Sequence, residues 1–149
     1  MAEKSVPTHH DAQLVLKLYE LRREERLRAA RDWYRTKFFP QSFEDVRTVL
    51  SPANPDNASW RMVTSYWEMA ASFVSHGVLD AELLLESGTE MLLVWSRLED
   101  FIPKLRQEYG ARVLVNVEKT IARVPWAADR VRQFKDRLPA FRQALASKR

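Results

Sequence analysis

A chain of 149 residues with 46% apolar, 11% aromatic and 30% charged side chains can build a hydrophobic core, which excludes a disordered or fibrous protein. Three glycines, about 2% against a typical ~7%, leave few left-handed positions, so phosphate-cradling glycine loops are excluded and an all-helical chain is expected. The absence of cysteine excludes disulfides, thiol catalysis and thiolate metal sites, and a reducing, cytoplasmic home is expected.

The net charge of +4 is unevenly spread. Residues 1–37 carry nine Lys/Arg and six Asp/Glu, net +3; residues 38–110 carry five and eleven, net −6. Residues 111–124 carry three and one, net +2, and residues 125–149 carry seven and two, net +5. Basic ends around an acidic middle fit a surface for nucleic acid or an acidic partner. They fit better with basic and acidic helices whose charges offset within the fold, since charge runs are mostly solvated faces. Met1–His10 lacks the apolar centre of a secretory signal, and no apolar stretch approaches the ~20 residues of a membrane span.

Thr8, followed three residues later by Asp11, reads as a helix start. Residues 1–8 are expected to be a flexible N-terminal segment of a single helical domain spanning 1–149. No Gly or Pro follows until Pro40, so one long helix is predicted from about His9 to Phe38. Its first half is apolar nearly all round: Leu14, Val15, Leu16, Leu18, Tyr19 and Leu21. Its middle, Arg22-Arg23-Glu24-Glu25-Arg26, is charged all round, with Glu24 and Glu25 placed to meet Arg28. A helix polar on every side bridges or projects. Leu14, Leu18 and Leu21 are therefore the candidate self-association surface, and a homo-oligomer or another protein is the expected partner.

Pro40 ends this helix, and Ser42 opens a short one over about Phe43–Leu50. After the turn-rich segment 51–57, a helix is predicted over about Ala58–His76 with two apolar rows, stopped by Gly77. Asp80 caps the next helix, where Leu84, Gly88, Met91, Trp95, Leu98, Ile102 and Leu105 form an a/d seam. Gly88 on that seam should admit a neighbouring helix, and Pro103 should kink or restart the chain. Residues 111–124 alternate like a strand at Val113, Val115 and Val117 but repeat like a helix at Leu114, Val117, Ile121 and Val124. Helix is preferred because nothing offers a strand to pair with. Pro139 inside the last helical stripe predicts a kink or break. The expected core includes Leu18, Trp60, Val63, Tyr66, Trp67, Phe73, Leu84, Trp95, Leu98 and Ile102.

Chemistry-bearing motifs are scarce. None of His9, His10 and His76 follows a Glu by three residues, so the helical carboxylate-metal pattern is missing. Glu82, Glu86 and Glu90 share a helix face but lack partner ligands, which reads as a solvated face. No cofactor is implied. The carboxylate that draws most interest is Glu68, mid-helix beside Trp67. If its strip faces another helix, it is a buried acid needing Arg61 or Arg97, and the three form a candidate polar site.

The run Trp67-Glu68-x-Ala70, then Val74-x-x-Gly77-x-x-Asp80, Trp95-x-x-Leu98, Arg106 and Glu118, resembles an uncharacterised bacterial family of all-helical proteins, a domain of unknown function. The likeness covers about residues 60–123 and extends towards 14–50. It implies a helical bundle and no particular activity.

The sequence thus predicts an all-α antiparallel bundle of five to seven helices with a long N-terminal helix. Functionally it predicts a non-catalytic interaction module that self-associates. A nucleic-acid binder using the basic end helices is the alternative, and an enzyme with Glu68 in a small polar pocket is the third reading.

Overall fold

The computed structural model describes residues 6–148. Met1–Ser5, most of the segment expected to be flexible, lie outside the described residues, and Thr8 is already the N-cap of the first helix. Among the described residues there are nine α-helices and no strand. They are α1 (His9–Arg22), α2 (Glu25–Lys37), α3 (Phe43–Leu50), α4 (Asn57–Ser75), α5 (Ala81–Ser87), α6 (Glu90–Leu98), α7 (Ile102–Tyr109), α8 (Val115–Arg123) and α9 (Ala127–Ala146), with a 3₁₀ turn at Glu99–Phe101.

The chain is an all-helical bundle, with more segments than five to seven because two expected helices are divided. The long N-terminal helix is the first. Glu24 takes an extended ψ of 137° and its carboxylate accepts the Leu27 N–H at 2.9 Å. It therefore caps α2 rather than pairing with Arg28. The Arg31 guanidinium donates to the Arg22 carbonyl at 3.1 Å, which satisfies one orphan acceptor at the end of α1.

The second division falls at Gly88 and Thr89, between α5 and α6. The predicted row nonetheless holds in space: Leu84, Gly88, Met91, Trp95, Leu98, Ile102 and Leu105 are all buried. A Cβ on Gly88 would stand 2.9 Å from the Trp67 ring, so the close approach expected there is made by an aromatic side chain of α4. Pro103 lies in the first turn of α7, where its missing N–H costs nothing, and the helix restarts there.

Residues 115–123 are helical, as preferred from the sequence, and follow a turn in which Leu114 is left-handed at φ 52°. Helix α9 runs through Pro139 without a break. Pro139 is on its exposed side.

Helix α4 lies at the centre, against α2, α3 and α8, while α6 packs on α8 and α9 and α1 packs on α5 and α2. Of the ten expected core residues, nine are buried and Phe73 is partly buried against them. No helix among the described residues is long and apolar enough to cross a membrane.

Candidate functional site

Glu68 is half-buried on α4 and faces the start of α8. Its Oε1 accepts from the Asn116 N–H at 2.9 Å and the Asn116 Nδ2 at 2.8 Å; its Oε2 accepts from the Val117 N–H at 3.0 Å. Helix α8 has no side-chain cap of its own. Glu68 supplies that cap from a neighbouring helix, where its charge also suits the helix dipole. Its expected partners lie elsewhere. Arg61 is exposed, and Arg97 is buried on α6, donating to the carbonyls of Tyr34 and Phe38. The predicted constellation Glu68, Arg61 and Arg97 is therefore not assembled, because backbone N–H groups satisfy the acid.

Of the other motif residues, Arg106 and Glu118 serve the same corner, while Gly77 and Asp80 shape the turn from α4 to α5. Arg106 donates to the Val113 carbonyl at 3.0 Å and pairs with Glu118 at 3.2 Å. Gly77 is left-handed after α4, and Asp80 caps α5 through the Leu83 N–H.

The acidic row separates. Glu82 accepts from Trp126 Nε1 at 3.1 Å, Glu86 is exposed and Glu90 is half-buried. Among the described residues no group of three or more His, Asp or Glu is arranged to hold a metal ion. The self-association residues separate too. Leu18 is a core residue at 3% exposure, and its carbonyl accepts the Tyr66 hydroxyl at 2.6 Å. Leu14 is half-buried, and Leu21, Tyr19 and Leu16 are exposed.

What the division of the N-terminal helix creates is a cleft. Folding α2 back beside the α5–α6 junction brings Arg22, Arg23, Arg28 and Arg31 around a cavity of about 400 Å³, with Tyr19, Ser87, Thr89 and Glu90. A cavity of about 540 Å³ adjoins it, sharing Arg28, Arg31 and Glu90. Arg31 is settled: its Nε and Nη2 fork onto Glu90 at 2.8–3.0 Å, which raises its pKa above the ordinary arginine range. Glu90 Oε1 also accepts from Trp67 Nε1 at 3.2 Å.

The other three arginines are not settled by acids. Arg22 is buried, with its Cζ 5.2 Å from the Trp67 ring centroid and 5.6 Å from that of Tyr19. Its Nη2 reaches the Ser87 carbonyl at 3.4 Å. Arg23 lies 5.9 Å from the Tyr19 ring. Among the described residues no carboxylate pairs with Arg22, Arg23 or Arg28. The cavity thus holds four guanidinium groups against one carboxylate, with aromatic faces to orient them. Chemically, such a set has the donors that an oxyanion needs.

Sequence reasoning read Arg22–Arg26 as a charged segment that bridges or projects and did not place this cleft. The available signal was the row Arg28, Arg31, Arg35 at spacings of three and four.

Residues 7–124 match the model of a domain of unknown function, DUF4760, and the chain belongs to that family. The match takes in the cleft and the Glu68 corner and stops before α9. No curated protein and no solved structure gives a significant match.

Proposed function

We propose that the protein is a non-catalytic interaction module that holds an oxyanion of its partner, a phosphate or carboxylate group, in the arginine cleft. The observation that carries this reading is the charge imbalance of the cavity, where Arg22, Arg23 and Arg28 meet no paired acid. Like charges gathered around one cavity repel, and a bound anion removes that cost. Arg22, buried against Trp67 beside Tyr19, is ordered before any ligand arrives, which lowers the entropy lost on binding. A cytoplasmic setting belongs to the same proposal and suits a chain without cysteine.

Calorimetric titration with inorganic pyrophosphate tests it. Saturable one-to-one binding is expected, about tenfold weaker in Arg23→Glu and in Arg28→Glu. Both side chains are exposed, so each variant should keep its stability within about 0.5 kcal/mol. Dilution heats alone, up to millimolar pyrophosphate, remove the reading. A single-stranded oligonucleotide that binds instead, with steep loss on added salt, transfers the surface to nucleic acid and makes basic α9 its extension.

A second copy of the chain is the alternative partner. Leu16 and Tyr19 are 63% and 50% exposed, and Tyr19 lines the cleft. Light scattering at tens of micromolar decides it, since a mass of 17.5 kDa excludes self-association.

A further inference from the structure

The opposite end of α2 reaches a further cavity, of about 280 Å³, that opens between α6 and α9. Its walls are Leu93, Phe134, Leu138 and Phe141, and its charged groups are Arg35, Arg97 and Arg137. No acid lines it. Helix α9, which supplies three of the four apolar walls, lies beyond residues 7–124 and so beyond the family match. The cavity is thus completed by a helix outside the matched region.

Arg97 is the unusual member. It is 7% exposed, yet it donates only through Nη1, to the Tyr34 and Phe38 carbonyls. Its Cζ stands 4.7 Å from the Phe39 ring centroid, and Arg142 stands 5.1 Å from the same ring. No carboxylate among the described residues pairs with it. Burial lowers its pKa to about 10, with Arg35 and Arg142 acting in the same direction, so it remains a cation at neutral pH. A buried cation without a counter-ion is costly unless something supplies the negative charge. Ser96 Oγ is already donating to the Leu93 carbonyl at 2.6 Å, which leaves the guanidinium groups as the polar donors of the cavity.

We propose that this cavity binds a medium-chain fatty carboxylate, its chain between Leu93, Phe134, Leu138 and Phe141 and its carboxylate on the guanidinium groups of Arg97, Arg35 and Arg137. The volume of about 280 Å³ lies just below the ~300–1,000 Å³ range of ligand pockets, which suits a short chain rather than a bilayer lipid. Apolar walls select the tail, and an all-cationic polar set selects the head.

Decanoate is the probe, followed by calorimetry on the full chain. One-to-one binding is expected, with decanol of equal length binding about tenfold more weakly because it leaves the arginines unpaired. Arg137→Glu, on an exposed position, should weaken decanoate about tenfold by reversing one charge. Leu138→Trp should abolish binding by filling the cavity, with circular dichroism checking that the helices persist. Equal affinity for decanol and decanoate overturns the proposal, as does an Arg137→Glu chain that binds like the wild type. Competition by pyrophosphate would place the carboxylate in the α1–α2 cleft and also overturn it. So would a concentration-dependent dimer that Leu138→Trp dissolves, which would assign the groove to a second copy.

Discussion

The corner between α4 and α8 and the cleft between α2 and α6 are both built from charged residues, and they dispose of that charge in opposite ways. At the corner, Glu68 spends both oxygens on Asn116 and Val117, and Arg106 is divided between Glu118 and the Val113 carbonyl. At the cleft, one pair, Arg31–Glu90, is satisfied, while Arg22, Arg23 and Arg28 carry positive charge that no acid answers. Charge answered within the chain holds the fold, and charge left unanswered in a cavity is available to a ligand. That contrast makes the carboxylate most visible in the sequence a structural residue and moves the functional reading to the arginines.

Breaking the settled side should have the larger cost. Glu68→Ala removes three hydrogen bonds from a charged acceptor and leaves the first turn of α8 uncapped. A loss of about 2–3 kcal/mol is expected in denaturant melts, against at most ~0.5 kcal/mol for the exposed Glu86→Ala. Two small and equal effects would mean that α8 caps itself with water, and the contrast between the two regions would fail on its structural half.

The next test lies on the boundary between them. Trp67 packs its ring on Gly88, lends Nε1 to Glu90 and underlies Arg22. Gly88→Leu drives a side chain into that ring, because even a Cβ would stand 2.9 Å from it. A cost of about 1–3 kcal/mol is expected from overpacking, and pyrophosphate binding should fall with it as Arg22 loses its support. A destabilised chain that keeps full pyrophosphate affinity would show that the cleft does not depend on Trp67.

Much of the fold was legible because burial follows spacing. The row from Leu84 to Leu105 is buried throughout although the helix carrying it is broken. The breaks were not legible, since neither Arg23-Glu24 nor Thr89 forbids a helix. At the first, Glu24 turns to cap Leu27, a local choice that competes with continuing the helix; at the second, the Trp67 ring lies against Gly88, a contact that only packing supplies. Glu68 drew attention in the sequence as an acid that would be internal only if its strip met another helix, and its partners were not legible, because backbone N–H groups are written in no residue letter. The cleft was hidden for a related reason. Arg22 and Arg23 stand out in the sequence, and only the return of α2 gives them a cavity.

The smallest expected effect belongs to Tyr66, which ties the two regions together. Its hydroxyl donates to the Leu18 carbonyl and so fastens α1, one wall of the cleft, to α4. Tyr66→Phe should cost about 0.5–1.5 kcal/mol at neutral pH through that one bond. Burial pushes the Tyr66 phenol up to about 12, with Arg22 and Arg31 pulling it down and Glu90 raising it. An unfolded phenol ionises near 10. The folded chain therefore keeps a proton that the unfolded chain releases, so this contribution is complete below pH ~10 and is lost as the pH climbs towards about 12. Denaturant melts at neutral and alkaline pH should show the wild type losing more stability than Tyr66→Phe. Tyr34, whose phenol burial also raises, and Arg97, whose lowered pKa acts in the opposite sense, are present in both chains and cancel in the difference. Equal alkaline losses would place the Tyr66 hydroxyl in solvent, and α1 would then be free to swing away from α4 and open the arginine cleft.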